Sequence, residues 1–160
     1  MLLILTKKTP VRTKKLPQAA IQLDTLSIDQ KANLTNDQWK QLLPRNQYEV
    51  LRLAATETPF TGEYLQNKQK GTYVTADCGE PVFHSDQKYD SGTGWPSFTA
   101  PINEDAIELH EDNTNGQQRV EVRSKKCRSH LGHVFDDGPA PTGKRFCINS
   151  LALKFIPDTL

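Results

Sequence analysis

The sequence predicts an all-β core of short antiparallel strands with two short helices ahead of it. Three observations lead there. From Gly71 onward, apolar or alternating runs of three to six residues are separated by Gly, Pro, Asn and Asp turn signals. One of them, Arg119-Val120-Glu121-Val122-Arg123, alternates cleanly, the pattern of an antiparallel strand with one wet face. Helical signals, by contrast, are confined to the stretch before Pro59.

Taken in order, residues 1–33 form a basic arm, with Lys7, Lys8, Arg12, Lys14 and Lys15 bunched and no acid among them; the sequence leaves it either disordered or laid over the surface. A domain is expected over 34–160. It opens with Leu34-Thr35-Asn36-Asp37-Gln38-Trp39, where Thr35 and Gln38 can form a capping box and Leu34 and Trp39 stand at staple positions. That helix stops before Pro44. A second is expected from about Arg45 to Ala55, with Tyr48, Leu51 and Ala55 on one stripe. Strands are expected at Thr72–Val74, Pro81–His84, Ala106–Leu109, Arg119–Arg123 and His133–Phe135, with a last long one over Arg145–Ile156. Asn115-Gly116 signals a hairpin turn and Asp136-Asp137-Gly138-Pro139 a loop.

Composition narrows the function classes. The chain has 160 residues, 36% hydrophobic and 24% charged, enough for one domain with a core and substantial loops. A net charge of +1 gives no reason to invoke nucleic acid or a membrane surface. No apolar run reaches the length of a transmembrane helix, and Met1–Leu5 is too short for a signal-peptide core. Three cysteines do not make a disulfide framework, so a reducing, cytoplasmic setting is expected.

Three stretches carry chemistry. In the Arg145-Phe146-Cys147-Ile148-Asn149 strand, alternation puts Arg145, Cys147 and Asn149 on one face. A guanidinium beside the thiol favours thiolate and would bring its pKa below the free value of about 8.5. In Gly92-Thr93-Gly94-Trp95-Pro96-Ser97-Phe98, two glycines and a proline stiffen a loop that can present Trp95 as an apolar wall, with Phe98 a second candidate. In His130-Leu131-Gly132-His133 the two imidazoles would share one side of a helical turn or take opposite sides of a strand, as metal ligands or as acid–base groups.

These stretches, with Gly62-Glu63-Tyr64, occur in the order in which they occur in the B class of methionine sulfoxide reductases, which the chain resembles over roughly residues 34–156. The resemblance implies two antiparallel sheets (a β-tent) with N-terminal helices. It implies reduction of methionine-R-sulfoxide, in peptides and proteins, through a sulfenic acid on Cys147, and so the repair of oxidised proteins. His130, His133 and Asn149 would be the acid and hydrogen-bond donors to the oxygen, Arg145 would favour the thiolate, and Trp95 would wall the S-methyl pocket, with Phe98 beside it. Thioredoxin, glutaredoxin or a small thiol would be the reductant, and no cofactor would be needed.

The chain departs from that family pattern in two places. Thr93 stands where many members carry a resolving cysteine. Thr75 and Ser124 stand where two Cys-x-x-Cys pairs would begin, leaving Cys78 and Cys127, so structural zinc is not expected; the two thiols are left as a disulfide, free, or a relay. The competing reading is a zinc-stabilised β binding module held by Cys78, Cys127, His130 and His133, with Cys147 buried and inert.

Overall fold

A computed structural model describes residues 20–159, so the five bunched basic residues of the arm, from Lys7 to Lys15, lie outside the described residues. Helix formation starts at a capped serine. Ser27 Oγ accepts the Gln30 N–H and Gln30 Oε1 accepts the Ser27 N–H, opening the short helix α1 (Ile28–Ala32), which stands in the stretch assigned above to the arm. The capping box at Thr35 and Gln38 forms as the sequence suggests and opens α2 (Asn36–Leu42), with Leu34 and Trp39 in one apolar cluster. Helix α3 (Arg45–Leu53) ends earlier than its apolar stripe implies. Ala54 takes a left-handed φ of 57° and the Ala55 N–H closes back onto the Glu49 carbonyl, so Ala55 joins the core from a non-helical position.

The rest is mainly β, in two antiparallel sheets. Strands β1 (Gly71–Thr75), β2 (Pro81–His84) and β9 (Leu153–Pro157) form the smaller, in the order β2-β1-β9. Strands β3 (Lys88–Tyr89), β4 (Ser97–Phe98), β5 (Ile107–Asp112), β6 (Arg119–Ser124), β7 (His130–Phe135) and β8 (Arg145–Ile148) form the larger, in the order β3-β4-β8-β7-β6-β5. The Asn115-Gly116 turn joins β5 to β6 with both residues at positive φ, 57° and 69°.

The single long strand expected over 145–156 is two strands in different sheets. The chain bends at Asn149 into a 3-10 turn over Ser150–Ala152 and re-emerges as β9. Hydrogen bonds from distant residues hold the bend. Asn149 Nδ2 donates to the Leu131 carbonyl at 3.0 Å, Asn149 Oδ1 accepts the Glu57 N–H at 2.9 Å, and Ser150 Oγ accepts the Tyr64 N–H at 3.2 Å. Gly62 is required beside this bend, because a Cβ there would lie 2.2 Å from Ser150 Oγ and 2.4 Å from Glu57 Oε2.

Two apolar clusters fill the molecule. The larger, from Tyr73, Phe83, Phe98, Val122, Leu131, Phe146, Ile148 and Leu153 with Leu51 of α3, joins the sheets. The smaller packs Trp39 and Tyr48 against Cys78, in the turn after β1, and Cys127, in the turn after β6. Those two cysteines form a disulfide with Cα atoms 6.4 Å apart, so a chain with only three cysteines does carry one bridge.

Candidate functional site

Strand register places the chemistry. Cα partners across the larger sheet run His110–Glu121, Glu121–His133, His133–Cys147, Cys147–Ser97 and Ser97–Tyr89, one transverse row on a single face. The opposite face carries Val122, Phe146 and Phe98 into the core. The polar face of β6 is therefore not the wet face its alternation suggests. Glu121 is buried, and its charge is matched by Arg123 at 2.7 Å and His130 at 2.6 Å.

Strand geometry alone would put His130 and His133 on opposite faces, yet both reach the same side. Val122 pairs with Gly132 while Arg123 pairs with His130, so Leu131 is an extra residue, a bulge that reverses the alternation. The rings meet edge to face with centroids 5.5 Å apart. Gly132 lets β7 approach β8, since a Cβ there would fall 1.9 Å from the Cys147 carbonyl oxygen.

Cys147 opens into a cleft of about 300 Å³ lined by Thr93, Trp95, Gly132, His133, Phe135, Arg145 and Asn149, together with Thr56, Gln117 and Arg119. It is a free thiol. Trp95, half-buried, is steered by its Nε1–H donating to the Glu57 carbonyl at 3.1 Å, and its loop is clasped from outside by the Phe60 N–H on the Gly94 carbonyl at 2.8 Å. Asn149 spends one amide N–H on Leu131, and its second remains for the cleft.

Of the residues singled out from the sequence, Cys147, Arg145, Asn149, His133 and Trp95 line this cleft. His130 stands behind His133, buried, with Nε2 unpartnered by any protein atom. Phe98 is not in the cleft. It is fully buried, stacked on Phe83 at 4.5 Å and edge-on to Tyr73 at 5.2 Å, because it pairs with Phe146 on the core face of the sheet.

Arg145 does not bring the Cys147 thiol below its free value, the outcome expected from the sequence. Burial pushes the thiol up, and Arg145 and a hydrogen bond from Thr93 offset only part of it. The guanidinium is already committed: it grips Asp137 through Nε at 2.9 Å and Nη2 at 3.1 Å and lies 4.5 Å over the Phe135 ring. Asp137 and Glu57 were not picked from the sequence. For Glu57, nothing in the sequence betrays that its backbone links Trp95 to Asn149.

The zinc module finds no support in this arrangement. Cys78 and Cys127 are joined to each other among apolar side chains, while His130 and His133 are held by Glu121 and Asp112. Where zinc would need two more thiolates, Thr75 Oγ1 accepts the Glu80 N–H at 3.2 Å and Ser124 Oγ accepts the Ser129 N–H at 3.1 Å. That donor set does not suit tetrahedral zinc. Among the described residues, no helix is long and apolar enough to cross a membrane.

A free cysteine in a small cleft, with aromatic side chains, an imidazole and an amide around it on a two-sheet β fold, defines a thiol-centred redox site. The SelR domain model matches residues 43–157. Curated relatives named peptide methionine sulfoxide reductase MsrB are similar over most of the chain. One from Methanosarcina mazei is 52% identical over 128 residues, covering 80% of this chain and 91% of the relative. One from Methanosarcina barkeri is 53% identical, covering 76% and 85%, and one from Bradyrhizobium diazoefficiens is 52% identical, covering 83% and 96%. The chain belongs to the SelR, or methionine sulfoxide reductase B, family.

Proposed function

We propose that the chain reduces methionine-R-sulfoxide in peptides and proteins to methionine, using Cys147. The observation that carries this reading is the free Cys147 thiol in a cleft walled by Trp95 and flanked by His133 and Asn149. Attack of the Cys147 sulfur on the sulfoxide sulfur forms a transient S–S bond, which breaks again as the oxygen passes to Cys147. The sulfoxide S–O bond breaks, methionine leaves as the reduced thioether, and the oxygen and one proton stay on Cys147 as a sulfenic acid. Trp95 receives the S-methyl group, which fixes the epimer presented. His133 and the free Asn149 N–H serve the oxygen as it gathers charge, with His130 behind them. Arg145, tied to Asp137, supplies a positive charge that favours the thiolate.

Recycling takes an external thiol. Thr93 lines the cleft where a resolving cysteine would stand, and Cys78 and Cys127 are bonded to each other in the Trp39 cluster. A thioredoxin, a glutaredoxin or a small thiol attacks the Cys147 sulfenic acid, releasing water, and a second thiol frees Cys147. A cytoplasmic setting, where such thiols are kept reduced, fits this cycle, as does a role in repairing oxidised proteins under oxidative stress.

The test is one turnover without reductant, followed by peptide mass analysis. The oxidising equivalent is expected on Cys147, from the R epimer and not the S, and Cys147→Ser is expected to abolish it. Appreciable single-turnover reduction by Cys147→Ser would overturn the assignment.

A further inference from the structure

The two imidazoles each surrender one ring nitrogen to a carboxylate, and not the same nitrogen. His133 Nε2 lies 2.7 Å from Asp112 Oδ2, whereas His130 Nδ1 lies 2.6 Å from Glu121 Oε2. Both carboxylates are held ionised. Hydrogen bonds from His133 and Thr114 hold Asp112 far below the usual range. For Glu121 burial acts upwards, but hydrogen bonds from Arg123 and His130 prevail and keep it low. An ionised carboxylate only accepts, so the ring nitrogen facing it must carry the proton.

We propose that Asp112 and Glu121 are positioning residues that lock His133 and His130 in opposite tautomers, so that His133 takes up and gives its exchangeable proton only at Nδ1 and His130 only at Nε2. His133, with Nε2–H on Asp112, presents Nδ1 to the cleft it lines. His130, with Nδ1–H on Glu121, keeps a bare Nε2 that no protein atom meets. Burial pushes the His130 ring down, towards its neutral form. The sheet makes the arrangement possible. Glu121 is the Cα partner of His133, yet its carboxylate goes to His130, because the bulge at Leu131 has turned that ring to the same side. Asp112, at the end of β5, is braced by Arg119 at 3.4 Å and by the Thr114 N–H at 3.0 Å.

The inference rests on the sulfoxide reductase reading for its chemical purpose. Once Nδ1 has taken a proton from solvent, His133 delivers it to the departing oxygen while Cys147 takes that oxygen. A thiolate, a sulfoxide and an imidazolium become a sulfenic acid, a thioether and a neutral imidazole whose Nε2–H never leaves Asp112. Asp112 thus acts through His133 and touches no substrate atom.

Long-range nitrogen–proton NMR of the chain labelled with ¹⁵N-histidine, above the range where imidazole protonates, reads the tautomers directly. The expected spectrum has His133 as the Nε2–H form and His130 as the Nδ1–H form. Asp112→Asn should disturb the His133 pattern and lower the single-turnover rate at saturating sulfoxide by about 100-fold, with KM changed by less than about threefold. Thr114→Ala, which removes the Thr114 Oγ1–H donor to Asp112 and leaves the backbone N–H and the imidazole bond, should keep most of the rate. Two rings in the same tautomer, or an Asp112→Asn variant as fast as the parent, would overturn the proposal. A parent chain showing both tautomers yet reducing no sulfoxide would sink the functional reading and leave the positioning standing.

Discussion

Breaking the Cys78–Cys127 disulfide should destabilise the fold by an amount the chain length sets. The bridge spans a sequence separation of 49 and ties the turn after β1 of one sheet to the turn after β6 of the other. Loop-closure entropy for a ring of that size amounts to about 4 kcal/mol at room temperature. Reduction takes no side chain out of the Trp39 and Tyr48 cluster, so little packing should be lost besides. With a urea m-value of about 2 kcal/mol per molar, the unfolding midpoint should fall by about 2 M. The assay is urea titration followed by tryptophan fluorescence, in a Cys147→Ser background that prevents exchange, with and without a strong phosphine reductant. Cys78→Ala combined with Cys127→Ala should behave as the reduced chain and be indifferent to reductant. Midpoints that agree within about 0.3 M in the two redox states would refute the reasoning, by showing that the bridge constrains nothing the folded sheets do not already hold.

Three further outcomes are expected. Trp95→Ala should lose about 1–2 kcal/mol of substrate contact, read as roughly a 5- to 30-fold fall in kcat/KM for the R sulfoxide, while a small alkylating agent still modifies Cys147; an unchanged kcat/KM would remove Trp95 from the substrate pocket. Purified protein should contain far less than one zinc per chain, and chelator should leave its melting temperature unmoved; one tightly held zinc per chain would restore the binding-module reading. Because burial favours the protonated thiol, alkylation of Cys147 should keep rising with pH past the point where a cysteine peptide levels off, and Arg145→Met should move that profile higher still. A profile levelling below the peptide's would contradict the balance drawn here between desolvation and the Arg145 charge.

Local signals were legible and distant ones were not. The Thr35 cap, the Asn115-Gly116 hairpin and the Pro81–His84 strand are written within a few neighbouring residues, and the structure shows them where the sequence puts them. Arg145, Cys147 and Asn149 do share the cleft, because alternation holds through β8 to the bend. The bend itself could not be read, since the run from Phe146 to Ile156 is apolar almost throughout and the groups that break it come from Glu57, Tyr64 and Leu131. Nor could the bulge at Leu131, which only the register against Val122 and Arg123 reveals. The electrostatics of Cys147 failed for a similar reason. Arg145 is two residues away and visible, whereas the Asp137 that engages it and the burial that outweighs it belong to the folded state. One clue was available and unused: Glu121 stands between Arg119 and Arg123 on the same strand face, a charge pattern that suits a matched interior better than a solvated surface.

The division of the Cys147 segment between two sheets also fixes the order in which the molecule can be completed as it is synthesised. Strand β8 finds both neighbours, β7 and β4, already made when it emerges. Strand β1 does not: its second partner is β9, so one of its edges waits while residues 76–152 are translated. During that interval the smaller sheet is a lone hairpin, which is marginal in water, and Tyr73 lacks the Phe155 ring that later packs 4.9 Å from it. A nascent chain is therefore expected to assemble the larger sheet around Cys147 first and to close the smaller one last, so that a ribosome stalled before Leu153 would expose a thiol-bearing sheet beside an unpaired strand edge.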